Sequence, residues 1–240
     1  MALPSLPRPT GSPEVRDYDA SVTDKRTWDE EADRLAAQAI ASGNPTAWFD
    51  ELYTAGADGE VGMPWDRTAP HPLIADWAAG VDGTGRKAIV VGCGLGADAE
   101  FLARLGYATT AFDIAPTAVR VARDRHPHST VDYRVADLLA LPESWVHGFD
   151  LVVDVFTVQA LPDPPRRDAI VNVGRLVAPG GSLVIVAFRG DLPGPRPPWP
   201  LERGEVEAFA TDGLDVDRIE ETSDRGGGSA PRWRATFTRP

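Results

Sequence analysis

The stretch Val90-Val91-Gly92-Cys93-Gly94-Leu95-Gly96 runs an apolar segment into three glycines, and Ala97, Asp98 and Ala99 then open a helical pattern. Glycine at such a strand-to-helix turn lets a ligand touch the backbone where a side chain would block it, and lets the chain turn tightly. Taken alone, the turn is ambiguous. Gly92, Gly94 and Ala97 fit the Gly-x-Gly-x-x-Ala pattern of nicotinamide and flavin enzymes, and a glycine-rich turn can also serve packing with no ligand at all. Asp113 closes the next apolar run about twenty residues after the glycines, where a carboxylate can accept both ribose hydroxyls of an adenosine. Asp137, in Val135-Ala136-Asp137-Leu138, discriminates further, because at the end of the third run it can accept a hydrogen bond from an adenine amino group. Phe149-Asp150-Leu151-Val152-Val153-Asp154 and Leu176-Val177-Ala178-Pro179-Gly180-Gly181-Ser182-Leu183 follow in order. Ile114 and Val155, next to Asp113 and Asp154, are expected in the same cleft.

Other reactive side chains are sparse. His71 lies close in sequence to Asp66 and Arg67 and could act as a base, orient a substrate, or be purely structural. His126 and His128 flank Pro127 in a turn, and His147 precedes a strand without a visible partner. The histidines and carboxylates show no metal-ligand spacing, so no metal is expected. Cys93, the single cysteine, reads as a small residue packed at the glycine turn, and it excludes an intrachain disulfide or a cysteine cluster.

These residues need a scaffold, and the chain signals one. From residue 87 onward short apolar runs (88–91, 108–112, 131–135, 149–153, 183–188) alternate with helical stretches (97–105, 116–125, 166–177), the last closed by Ala178-Pro179-Gly180-Gly181. That alternation is the signature of βαβ units around a parallel sheet. Runs at 214–220 and 233–238, separated by the glycine turn 226–228, predict an antiparallel hairpin and bring the count to seven strands. Ahead of them, Thr27 and Glu30 have capping-box spacing, and Leu35, Ala36, Ala39 and Ile40 recur at helical intervals until Gly43-Asn44-Pro45. A second helix is expected at 47–54, then a mobile loop marked by Gly56, Gly59, Gly62 and Pro64 and ending in Met63-Pro64-Trp65-Asp66. The expected organisation is a disordered proline-rich tail at 1–22, with Pro4, Pro7, Pro9 and Pro13, and one domain at 23–240. Within it, 23–80 form an N-terminal helical lid and 81–240 an α/β Rossmann-like core, a mostly parallel seven-stranded sheet with helices on both faces and the last strand antiparallel.

A net charge of -12 repels phosphate backbones and anionic lipid surfaces, so neither nucleic acid nor membrane is an expected partner. No apolar run approaches the ~20 residues needed to cross a bilayer. The start has neither a basic front nor an apolar run like a secretory signal. The reading is cytoplasmic, as a monomer or homodimer.

Taken as an ordered set, residues 87–188 resemble the class I S-adenosylmethionine-dependent methyltransferases. The resemblance implies that Gly92, Cys93, Gly94 and Gly96 face the methionine part and ribose of the cofactor, Asp113 and Ile114 its ribose, Asp137 and Leu138 its adenine, with Asp154 and Val155 nearby. Most members carry an acidic residue two before the first glycine. Val90 stands there, so Asp98 is expected to help hold the methionine amine. Trp48 to Tyr53, Pro64-Trp65-Asp66 and Pro70 resemble the tryptophan-rich front of the thiopurine and thiol methyltransferase branch. Gly194, Pro195, Pro197, Pro198 and Trp199 resemble its glycine-proline-proline-aromatic loop. Related actinobacterial-type small-molecule methyltransferases, which act on hydroxyl or nitrogen groups, fit as well.

Aromatic side chains attract a sulfonium by roughly 0.5–2 kcal/mol, so Trp65, Trp199 and Phe156 are expected to line the methyl channel. Tyr53 and Arg189 complete the expected acceptor contacts, Asp66, His71 and Asp154 are the catalytic candidates, and Trp28, Trp77, Trp145 and Trp233 are read as packing residues. The implied activity is methyl transfer to sulfur, oxygen or nitrogen of a small molecule. A nicotinamide-dependent oxidoreductase, which would leave Asp137 and the Trp65 front unexplained, and a catalytically silent methyltransferase-like subunit are the alternatives.

Overall fold

A computed structural model of the chain describes residues 27–63, 65–190, 197–222 and 230–240. The expected tail at 1–22, Pro64, Gly194, Pro195 and the glycine turn at 226–228 lie outside the described residues.

Seven strands, β1 (Lys87–Val91), β2 (Ala108–Asp113), β3 (Asp132–Val135), β4 (Phe149–Val155), β5 (Val177–Phe188), β6 (Asp215–Thr222) and β7 (Arg232–Thr238), form one sheet. Their order is β3-β2-β1-β4-β5-β7-β6. The first five are parallel, and β7 runs antiparallel to both β5 and β6. Parallel strands covered on both faces read as continuous apolar runs, which is why β1 is Lys-Ala-Ile-Val-Val and every residue after Lys87 is buried.

Alternation along each strand divides the core in two. Ile89, Val91 and Val152 pack with Ile170 and Val173 of α6 (Pro165–Arg175) on one face. Val90 and Val153 pack on the other face with Leu102 of α4 (Ala97–Arg104) and Val119 of α5 (Pro116–Arg125). Trp145 and Trp233 pack with the first layer and Trp77 with the second, as packing residues should.

The expected capping box forms at the start of α1 (Trp28–Ala41). Its buried face, Ala32, Leu35, Ala36 and Ala39, meets Trp48 and Leu52 of α2 (Trp48–Ala57). The core is reached through Asp50, whose carboxylate accepts the Thr117 N–H at 2.8 Å. Two short helices, α3 (Pro72–Trp77) and α7 (Arg203–Glu207), were not anticipated, since one or two turns carry no readable periodicity.

Ala178-Pro179-Gly180-Gly181 does not close a helix as expected. Helix α6 ends at Arg175, and the four residues begin β5, where the register with β4 slips between Phe149 and Leu151. Glycine is required at 181, because a Cβ there would lie 2.8 Å from the Ala178 carbonyl oxygen and 3.0 Å from that of Phe149.

Candidate functional site

The C-terminal ends of β1, β2, β4 and β5 open into a cavity of about 640 Å³, roofed by residues of α2 and of the segment that leads into α3. This is where an open α/β sheet places its ligands, because the strand order reverses between β1 and β4.

At one end lies the glycine turn. Gly94 adopts φ +52°, and a Cβ there would stand 3.0 Å from the Tyr53 hydroxyl, so only glycine fits beneath the roof. The Asp113 carboxylate accepts the N–H of Gly94 at 2.9 Å and that of Ala115 at 3.0 Å. Burial pushes its pKa up to about 6 against those two hydrogen bonds. Gly92, Cys93, Ile114, Asp137 and Leu138 also face the cavity, and Asp137 accepts the Leu139 N–H at 2.8 Å. Burial raises the Cys93 thiol well above its ordinary range, which keeps it protonated and matches its reading as a packing residue. Gly96 differs from expectation: it does not line the cavity, and its missing side chain makes room for the Tyr133 hydroxyl behind the turn.

Asp98 sits between the glycine turn and the roof. It accepts the backbone N–H of His71 at 2.6 Å, and Arg67 lies 3.6 Å away. Burial raises the Asp98 pKa, opposed by those two groups. His71, buried at the N-cap of α3, accepts the Leu73 N–H on Nδ1 at 3.2 Å. A neutral imidazole accepting on Nδ1 carries its proton on Nε2. With Nδ1 already accepting, His71 has no lone pair there to take a proton, which corrects its reading as a base and keeps its reading as an orienting group on the cavity wall.

The far end is aromatic. Phe156 and Phe188 stack there with centroids 4.8 Å apart and His71 meets Phe156 edge-on at 5.2 Å, whereas Tyr53 meets Trp65 at 5.9 Å in the roof over the glycine turn. Phe156 is held at φ 63°, a left-handed conformation that costs a bulky residue about 1–3 kcal/mol. The twist sets its ring on the cavity wall beside Val155.

Several expected site residues lie elsewhere. Asp66 is exposed and forms a two-pronged pair with Arg125, one arm at 2.9 Å, which holds its pKa down. Asp154 is fully buried and does not reach the cavity. One of its oxygens accepts the Thr157 N–H at 3.0 Å, the other has no hydrogen-bond partner among the described residues, and burial pushes its pKa up to about 7. Its role is to shape the turn that carries Phe156 and Thr157. Arg189 turns to the opposite face of the sheet, against Trp233 and 3.3 Å from Glu221. Trp199 packs on Arg166 and stays off the cavity wall, while Pro197 and Pro198 line it. His147 has a partner after all, Asp212 at 2.9 Å, away from the site.

Phe188, Arg67 and Arg232 line the cavity without having been singled out in the sequence. A strand-parity argument could have found Phe188; Arg232 needed the register of β7. No metal-binding cluster occurs among the described residues.

Residues 88–181 match the family described as Methyltransferase domain. This segment is a class I S-adenosylmethionine-dependent methyltransferase domain. The ubiquinone biosynthesis O-methyltransferase of Xanthomonas oryzae pv. oryzae is 36% identical over 132 residues, which are 50% of this chain and 54% of that protein. The chain thus spans about half the length of the curated relatives it matches. A solved structure from a study of the conversion of a disulfide bond into a thioacetal group during echinomycin biosynthesis aligns at TM-score 0.65 and 28% identity, covering 80% of this chain and 93% of that one. Magnesium protoporphyrin IX methyltransferase from Synechocystis, solved with bound SAH, shares the fold at TM-score 0.58 and 17% identity over 70% of this chain and 80% of that one. These likenesses support the methyltransferase domain without singling out the thiopurine and thiol branch. Among the described residues, no helix is long and apolar enough to cross a membrane.

Proposed function

We propose that the protein transfers a methyl group from S-adenosylmethionine to an oxygen, nitrogen or sulfur atom of a small molecule. The observation that carries the reading is the pairing of Asp113 with the Gly94 N–H at one end of a cavity whose other end is aromatic. The residues fit the cofactor: the cradle at Gly94 is one that a Cβ would fill, and the presence of Asp113 and Asp137 on the wall of the same cavity supports roles for them at ribose and adenine.

When bound, S-adenosylmethionine supplies a methyl carbon already activated as a sulfonium. The chain's own residues then position and enclose. Asp113 accepts ribose hydroxyls, Asp137 and Leu138 bound the adenine, and Asp98 with Arg67 faces the amino-acid end. Tyr53, Trp65 and Phe156 exclude water around the reacting atoms. Holding two reactants in place accounts for roughly 7–11 kcal/mol of a barrier, and His71 orients the acceptor. Residues 23–80 act as a lid on a single domain that works in the cytoplasm, as a monomer or homodimer. The name of the Xanthomonas relative favours oxygen as the acceptor atom.

Titration calorimetry with S-adenosylmethionine and with NAD tests the cofactor, and mass spectrometry of products from thiols, phenols and heteroaromatic amines tests the transfer. Binding of NAD alone would make the protein an oxidoreductase, and binding of neither would make it a silent subunit.

A further inference from the structure

Two opposite charges meet on the cavity wall beside the glycine turn. Asp98 lies in the first turn of α4, and Arg67 comes from the roof segment between Trp65 and α3. Arg67 Nη2 stands 3.6 Å from Asp98 Oδ2, beyond the reach of a good hydrogen bond. Among the described residues the Arg67 guanidinium has no other charged partner and donates no hydrogen bond. The roof segment is tied on either side of it. The Asp66 carboxylate accepts from Arg125 of α5 at 2.9 Å on the outside, and the His71 backbone N–H donates to Asp98 Oδ1 at 2.6 Å within. Arg67, between the two ties, is thus held beside Asp98. The other arginine of the wall, Arg232, lies against Phe188 at the aromatic end.

From this arrangement we infer that Arg67 receives the carboxylate of the methionine part of S-adenosylmethionine while Asp98 receives its ammonium. The inference rests on the cavity being the cofactor site proposed above, and it assigns the amino-acid end of that site. The two ionic groups of an α-amino acid hang on one carbon, so a receptor for them needs a cation and an anion side by side. Asp98 and Arg67 are the one ion pair among the described residues with both members on the cavity wall. The zwitterion adds a second pair in the opposite order, carboxylate on Arg67 and ammonium on Asp98, so that no charge is left buried without a partner. A guanidinium presents five N–H donors in a flat fork that matches a carboxylate at two points, and it keeps Asp98 beside it while receiving the ligand. Asp98 belongs to the core and Arg67 to the roof, so the amino-acid end joins the two. The adenosine end, at Asp113 and Asp137, is independent of Arg67.

Titration calorimetry on the full chain tests this with four probes: S-adenosylhomocysteine, its carboxamide, its deaminated analogue, and methylthioadenosine, which lacks both charged groups. The wild-type protein should bind S-adenosylhomocysteine roughly 10- to 100-fold more tightly than the carboxamide and than the deaminated analogue, the range for a hydrogen bond to a charged group. In Arg67→Met the preference over the carboxamide should vanish, because S-adenosylhomocysteine is weakened and the carboxamide is not, while methylthioadenosine binds as it does to wild type. Asp98→Asn, which keeps an acceptor for the His71 N–H, should lose the preference over the deaminated analogue. Arg67→Gln gives the same comparison if Arg67→Met does not fold. Equal wild-type affinity for S-adenosylhomocysteine and its carboxamide overturns the inference and leaves the methyltransferase reading standing. A preference that survives in the Arg67 variants overturns it too, by giving the carboxylate to another group, as does a loss that methylthioadenosine shares, by making Arg67 a support of the fold. If the wild-type protein binds none of the four at ~1 mM, the methyltransferase reading falls and the inference with it.

Discussion

Phe188 at the end of β5 and Arg232 at the start of β7 are direct partners across the antiparallel pairing, and the guanidinium carbon of one lies 4.1 Å from the ring centroid of the other. One residue further on each strand, Arg189 and Trp233 make the same kind of contact, at 5.4 Å, on the opposite face. The sheet thus carries two arginine–aromatic pairs back to back, and strand parity alone decides which of them enters the cavity.

Replacing Phe188 by Leu removes the aromatic face under Arg232 while keeping the position apolar. The expected loss is about 0.5–2 kcal/mol in folding stability, with affinity for S-adenosylhomocysteine unchanged. Urea unfolding and a titration of S-adenosylhomocysteine check this, and a loss of affinity as well would mean that the whole cavity has been disturbed.

Asp113→Ala should weaken S-adenosylmethionine binding by about 1.5–3 kcal/mol, the scale for hydrogen bonds to a charged group. The pH dependence has a definite sign. With the carboxyl pKa near 6 in the free protein, binding that needs an ionised acceptor must expel a proton below that pH. Affinity should therefore fall by up to about tenfold per unit as pH drops below 6 and level off above it. Calorimetry at pH 5, 6 and 8 shows the slope, which Asp113→Ala should lack.

Asp154 makes stability depend on pH in the opposite sense to an ordinary paired carboxylate. Its folded pKa, near 7, lies above the unfolded value of 3.8. The folded chain holds a proton that the unfolded chain has released, so this group's contribution falls as pH rises from about 4 to 7. Asparagine keeps the acceptor for the Thr157 N–H and cannot ionise. The stability of Asp154→Asn relative to wild type should rise across that window by about 2–4 kcal/mol and stay constant above it. Urea unfolding at pH 4.5, 6 and 8 gives the comparison, and a difference that does not change with pH would remove Asp154 as the cause.

Asp66 and Trp65 are sequence neighbours with different fates. Asp66→Ala breaks an exposed pair with Arg125 and should change stability by no more than about 1 kcal/mol, with turnover intact. Trp65→Ala opens the cavity roof beside Tyr53, and turnover should fall at least roughly tenfold, about 1.4 kcal/mol of barrier. Steady-state kinetics of the two variants decide it, and equal turnover would mean the roof plays no part.

Much of the scaffold and the glycine-turn end of the cavity was legible in the sequence because the signals there are local. The glycine turn, Asp113 and Asp137 each follow an apolar run within a few residues, and the ends of such runs in a parallel sheet converge on one edge. The capping box at Thr27 and Glu30 and the succession of seven strands along the chain belong to the same class of short-range pattern. The aromatic end of the cavity was decided only by tertiary structure. Whether Arg189 or Arg232 enters the cavity depends on the register of β5 with β7, set by pairings such as Ser182 with Thr238 and Phe188 with Arg232, more than forty residues apart. Asp66 and Asp154 have the right residue type and a plausible neighbourhood. Their roles were fixed by Arg125, which draws Asp66 to the surface, and by strand alternation, which buries Asp154 beneath the sheet end. Side-chain direction in a strand reverses at every residue, so composition identifies a strand but only pairing shows which of its faces meets the ligand.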